Sequence, residues 1–162
     1  MAREARSPDR GARGMRRVYR ATPRSVALAR RDISAFVKQI GRDDPEAVNA
    51  ISLAVSEACS NVVLHAYRDS VSPAEMVVVA TETEGGLNVE VIDHGVGLTP
   101  RFDSPGMGLG LPLMAQLSDE FEAMSSEGAG TQIYMLFKLR TKHSGVPAYD
   151  QQGPRRSLRQ CA

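Results

Sequence analysis

From residue 16 onward the apolar positions change period several times. "RRVYRA" (16–21) has the composition of a short strand. Thr22 and Pro23 then open a stretch in which Val26, Ala29, Ile33, Phe36, Val37 and Ile40 recur every three or four residues. That spacing predicts an amphipathic helix with Thr22 as its N-cap, Pro23 in the first turn and Gly41 as its C-terminal stop. Asp44-Pro45 repeats the start signal. Val48, Ile51, Val55, Ala58, Cys59, Val62 and Ala66 follow as the stripe of a second helix.

After residue 74 the period shortens. "EMVVVATETE" is rich in β-branched residues, Gly85-Gly86 predicts a tight turn, and "LNVEVID" alternates. A glycine-bearing loop runs from Gly95 to Pro105, "GLPLMAQLSD" predicts a short helix, and "EFEAMSS", the turn "EGAG" and "TQIYMLFKLR" form a second hairpin. Strand, helix, helix, hairpin, loop, helix, hairpin is an order in which helices and hairpins segregate. It predicts an α+β two-layer sandwich, a mostly antiparallel mixed sheet with helices on one face.

Three polar side chains interrupt the second helix. Glu57, Asn61 and His65 stand at i, i+4 and i+8 among Val55, Ala58, Val62 and Val63, so they share one helical face. Periodicity alone leaves two readings open: a solvated face, or a site. In the second, the Asn61 carboxamide offers a neutral oxygen to a hard cation such as Mg²⁺, and Glu57 can take a proton. His65, at the end of the face, is expected to be structural.

Glycine is concentrated in two further places, "VIDHGVGL" (91–98) and "GMGLGL" (106–111). In the first, Asp93 ends a strand and can accept from an exocyclic amine, while Gly95 and Gly97 carry no side chain to hold a flat ring away. In the second, Gly106, Gly108 and Gly110 lead into a helix, whose N-terminal N–H groups suit phosphate. Met107 and Leu109 are expected to pack beneath that loop. The pattern is not a dinucleotide fingerprint, because Leu111 stands where a third glycine is needed, and no Lys-Ser or Lys-Thr pair follows as in a Walker loop. Arg101 is the one cation between the glycine clusters, in the short segment "TPRFDSP".

The net charge of +1 conceals a strong asymmetry: residues 1–42 carry 12 Lys/Arg against 3 Asp/Glu, whereas 43–139 carry 3 against 15. Solvated basic ends around an acidic domain are the simplest reading, and direct nucleic-acid binding is not expected. Two cysteines make no disulfide framework, and Cys59 is expected to be a small buried hydrophobe. No apolar run is expected to approach the roughly 18–20 residues that span a bilayer. Residues 1–14 and 141–162 are expected to be loose tails about a domain at 15–140, with Met15 a candidate true start; a cytoplasmic setting fits best.

Taken in order, Glu-x3-Asn on a helix, Asp-x-Gly-x-Gly, Gly-x-Gly-Leu-Gly-Leu and Gly130-Thr131 resemble the GHKL, or Bergerat-fold, ATPases. "LAVSEACSNVVLHAY" in particular is similar to the anti-sigma-factor serine/threonine kinases, and the similarity covers residues 16–140. The resemblance implies ATP and Mg²⁺ as cofactors. Glu57 would be the general base or water-orienting carboxylate, and Asn61 the Mg²⁺ ligand. Asp93, Gly95, Gly97 and Thr131 would hold adenine, and Gly106, Met107, Gly108, Leu109, Gly110 and Arg101 would surround the phosphates. It also implies a sigma factor and an anti-anti-sigma (STAS-type) protein as partners, and a homodimer. The short segment before the second glycine cluster, with Ser104 and Pro105, leaves open an alternative: an ATP-dependent binding module with little phosphoryl transfer.

Overall fold

The computed structural model describes residues 13–67, 74–97, 109–126 and 129–139. The elements, in chain order, are β1 (Gly14–Arg20), α1 (Pro23–Gln39), α2 (Pro45–Asn61), a π-helical turn (Val62–Ala66), β2 (Glu75–Thr83), β3 (Gly86–Asp93), α3 (Gly110–Leu117), β4 (Glu120–Ser126) and β5 (Gly130–Lys138). The strands form one sheet in the order β1-β2-β3-β5-β4. All four pairings are antiparallel, so the parallel component that the expected mixed sheet allowed is not found among the described residues.

The predicted caps form. Thr22 Oγ1 accepts the Ser25 N–H at the start of α1, and Asp44 Oδ2 accepts the Ala47 N–H at the start of α2. At the end of α1, Gly41 has φ +78°. The Gly41 and Arg42 N–H groups return to the Lys38 and Val37 carbonyls, the two bonds that satisfy orphan carbonyls at a glycine stop. The first hairpin differs from expectation by one residue: Thr83 pairs with Gly86, so Glu84 and Gly85 make the turn and Gly86 already belongs to the ladder.

Ile33 and Val37 of α1, Ile51, Val55 and Cys59 of α2, Val78 of β2, Val89 of β3 and Met135 of β5 are fully or almost fully buried between helices and sheet. The apolar helix stripes and the strand alternation point into this one layer, and its burial supplies the main driving force for the fold. Cys59 is buried as expected, and burial pushes its thiol up to about 12. Two side chains from the basic end are tied in as well. Tyr19 donates to Asp32 Oδ2 at 3.0 Å, joining β1 to α1. Arg13 pairs with Glu82 at 2.8 Å and donates to the Gln39 and Ile40 carbonyls at the end of α1.

Contrary to expectation, the 22-residue helical span Pro45–Ala66 contains an 18-residue window with a mean hydropathy of 1.4, enough by length and composition to cross a membrane, although Ser52, Ser56, Glu57, Ser60 and Asn61 interrupt its apolar run. Here it is the central helix of the domain: Val48, Ile51, Ala54, Val55, Ala58 and Cys59 are buried in the shared core.

Candidate functional site

The helix bearing Glu57 and Asn61 packs on the sheet and against both α1 and α3. Its buried stripe holds it on the sheet, which leaves Glu57 and Asn61 half-buried at the edge where α3 begins. Gly110, the first residue of α3, is buried there. A Cβ at Gly110 would stand 3.4 Å from both polar atoms of the Asn61 carboxamide and 3.6 Å from Glu57 Oε2. Glu57, Asn61 and Gly110, distant in sequence, thus form one end of the site. No side chain caps α3 and its first turn holds no acidic residue, so the partial positive charge of its leading N–H groups lies at this end, beside the Glu57 carboxylate.

Past Asn61 the helix widens. The sequence predicts one α-helix through Ala66; the structure has a π turn over Val62–Ala66, a feature frequent at functional sites. Val62 and Ala66 remain buried, and His65, expected to be structural, lines the pocket beside Asn61.

The other end of the site is built on Asp93. It closes β3, pairs with Thr131 of β5 and is 3 % exposed. Its Oδ1 accepts the Gly95 N–H at 2.8 Å, and the nearby backbone N–H and hydroxyl of Thr131 favour its ionised form. Burial raises the Asp93 pKa above the ordinary carboxylate range; the bonds from Gly95 and Thr131, and nearby His94, act in the opposite direction. The pocket between the two ends is walled by Ala58, Val62, Val91 and Ile133. It is a narrow, mostly apolar slot whose buried polar groups are Asp93 and Thr131, with Asn61 and His65 also lining it.

The two glycines of the Asp93 turn have different causes. Gly95 is expected to make room for a flat ring; instead a Cβ there would stand 2.0 Å from the Ala66 carbonyl oxygen. The helix end, not a ligand, excludes a side chain. Gly97 has φ +87°, a left-handed conformation that favours glycine, and it lines the pocket. Leu109 corrects another expectation: at the start of α3 it is 80 % exposed to solvent and so is not packed beneath a loop. Arg101, Gly106, Met107, Gly108, Ser104 and Pro105 lie outside the described residues.

Tyr67 was not among the residues singled out by the sequence. Its hydroxyl donates to the Glu75 carbonyl and accepts the His94 N–H at 3.1 Å. The available signal was position: it directly follows the polar face of the second helix.

The model of the histidine kinase-like ATPase domain matches residues 19–137. The chain belongs to this family, in its anti-sigma-factor branch. An anti-sigma F factor of Pasteuria penetrans is 33% identical over 132 residues, 73% of this chain and 85% of the relative. One from Clostridium perfringens is 29% identical over 140 residues, 78% of this chain and 97% of the relative. Among solved structures, the RsbU and RsbW domains of a Mycobacterium tuberculosis protein superpose with a TM-score of 0.63 at 25% identity, over 78% of this chain and 32% of that one. Membership in this ATPase-domain family implies ATP binding; in the slot, apolar walls are of a kind that suits a purine and the buried carboxylate one that suits an amine.

Proposed function

We propose that the protein is an ATP-dependent serine/threonine kinase of anti-sigma-factor type, which phosphorylates a small anti-anti-sigma (STAS-type) partner and sequesters a sigma factor in the cytoplasm. The observation that carries this reading is the placement of Glu57 and Asn61 against Gly110, at the uncapped start of α3, with the Asp93 slot alongside. Adenine would enter the slot with its amine toward the Asp93 carboxylate. The phosphates would then reach the α3 end, where backbone N–H groups receive negative charge.

Asn61 would hold Mg²⁺ through its carbonyl oxygen. The ion would neutralise charge on the phosphate oxygens. Glu57 would take the proton of the incoming seryl or threonyl hydroxyl as its oxygen bonds to the γ-phosphorus and the bond to the ADP oxygen breaks. Phosphorylation would add nearly two negative charges to the partner, repelling it from an acidic domain and freeing the kinase for sigma factor. A homodimer accords with the helix-free face of the sheet, where Val18 and Met124 are exposed.

The test is transfer of radiolabelled γ-phosphate to a purified anti-anti-sigma domain. Transfer that Glu57→Ala abolishes while ATP affinity is largely kept supports the kinase. Tight ATP binding without transfer to any such partner would replace it with a nucleotide-dependent binding module.

A further inference from the structure

We infer that Tyr67 is a positioning residue for purine selectivity: its hydroxyl splices the helix end into the open end of the β2–β3 ladder and so fixes the aim of Asp93. The inference rests on the reading of the slot as an adenine site. The ladder runs to the pair Met76–Asp93. The next two residues outward, Glu75 and His94, are joined through Tyr67: the hydroxyl donates to the Glu75 carbonyl and accepts the His94 N–H.

One side-chain group therefore occupies the position of a terminal ladder bond and forces the chain out of the sheet directly after Asp93. Two residues on, the Val96 N–H bonds the Ala66 carbonyl at 2.9 Å. The turn is clamped to the same helix end on both sides of Gly95, and Gly95 carries the N–H that holds Asp93 Oδ1. Without the hydroxyl, the His94 N–H loses its acceptor and the Glu75 carbonyl its donor. The Asp93 turn is then held at one clamp instead of two, and the carboxylate loses its fixed direction. The binding of phosphates at the other end of the site does not depend on this clamp.

The experiment compares ATP with inosine triphosphate, which keeps ribose and phosphates but has an oxygen where adenine has its amine. Calorimetric affinities are measured for the wild type and Tyr67→Phe, which keeps the ring. A site built around a hydrogen-bonded group discriminates strongly against an analogue lacking it, so the wild type is expected to prefer ATP by roughly tenfold or more. In Y67F the ATP affinity should fall toward that of inosine triphosphate, whose own affinity stays unchanged. Amide hydrogen exchange at His94 and Gly95 should accelerate in the same variant, which is read in the folded protein regardless of ligand. A Y67F protein that keeps the full preference overturns the inference, as does one that loses affinity for both nucleotides equally. A wild type that binds both nucleotides alike would instead overturn the assignment of Asp93 to the adenine amine, and a wild type that binds neither would overturn the site itself.

Discussion

The Val96 N–H donates to the carbonyl of Ala66 at 2.9 Å, joining the turn after β3 to the last residue of the π turn. This bond brings the two backbones together at Gly95, where any side chain would collide with the same carbonyl oxygen. Gly95→Ala should therefore push the turn off the helix end and lower stability by about 2–3 kcal/mol, the range of a substitution that strains a packed site. Gly85→Ala, with nothing within 4 Å of the added carbon, should stay within about 0.5 kcal/mol of wild type. Denaturant unfolding of both variants checks the contrast. Equal stabilities would show that the turn can move away without cost.

Asp93 should oppose stability while serving binding. Its folded-state pKa is raised by burial, so the folded protein holds its proton more tightly than the unfolded chain. The stabilising contribution of this group is complete below the unfolded pKa, about 4, and is lost as pH rises through the raised folded value. Asp93→Asn keeps an acceptor for the Gly95 N–H and removes the charge. It should be more stable than wild type at pH 7, with the difference closing toward pH 4, and its ATP affinity should fall about tenfold or more, the loss of one charge-assisted bond. Thermal melts across that pH range and titration calorimetry provide the two readouts. A variant less stable than wild type at neutral pH would contradict the stability argument.

Glu57 and Asn61 should separate chemistry from binding. Removal of a general base lowers the rate typically by about 10²–10⁴-fold, so Glu57→Gln should lose phosphoryl transfer on that scale with nucleotide affinity changed only a few-fold. Asn61→Ala should instead weaken nucleotide binding in the presence of magnesium and leave binding in EDTA little altered. Parallel transfer assays and calorimetry with and without EDTA measure both. Equal losses in the two metal conditions would remove Asn61 from the metal.

Arg13 should matter to the fold although it lies before the expected boundary of the domain. It bridges Glu82 of β2 to the final carbonyls of α1. The pair is half-exposed, which limits its Coulombic worth, and Arg13→Ala should cost about 1 kcal/mol from the lost hydrogen bonds. A chain begun at Met15 should show the same loss in a urea melt. Stability equal to wild type in both would make Arg13 a spectator.

The helices, their caps and the hairpins were legible in the sequence because each depends on neighbours in the chain. Thr22 and Asp44 cap through bonds three residues long, and the apolar stripes of α1 and α2 carry their own period. The polar face was legible too: Glu57 and Asn61 are one turn apart wherever that helix goes. Its continuation was not, because a π turn arises when the helix end must meet another backbone, and no local preference announces it.

Local chemistry thus determined the layers, the central helix with its two polar groups, and Asp93 at a strand end. Only tertiary structure decided what those residues do to one another. Gly95 is required by the carbonyl of Ala66, Gly110 stands against Asn61 and Glu57, Leu109 turns outward, and Tyr67 completes a ladder to which it does not belong. The physical reason is range: capping and periodicity act over a few residues of one segment, whereas a close backbone approach and a bridging hydroxyl exist only once distant segments share a core.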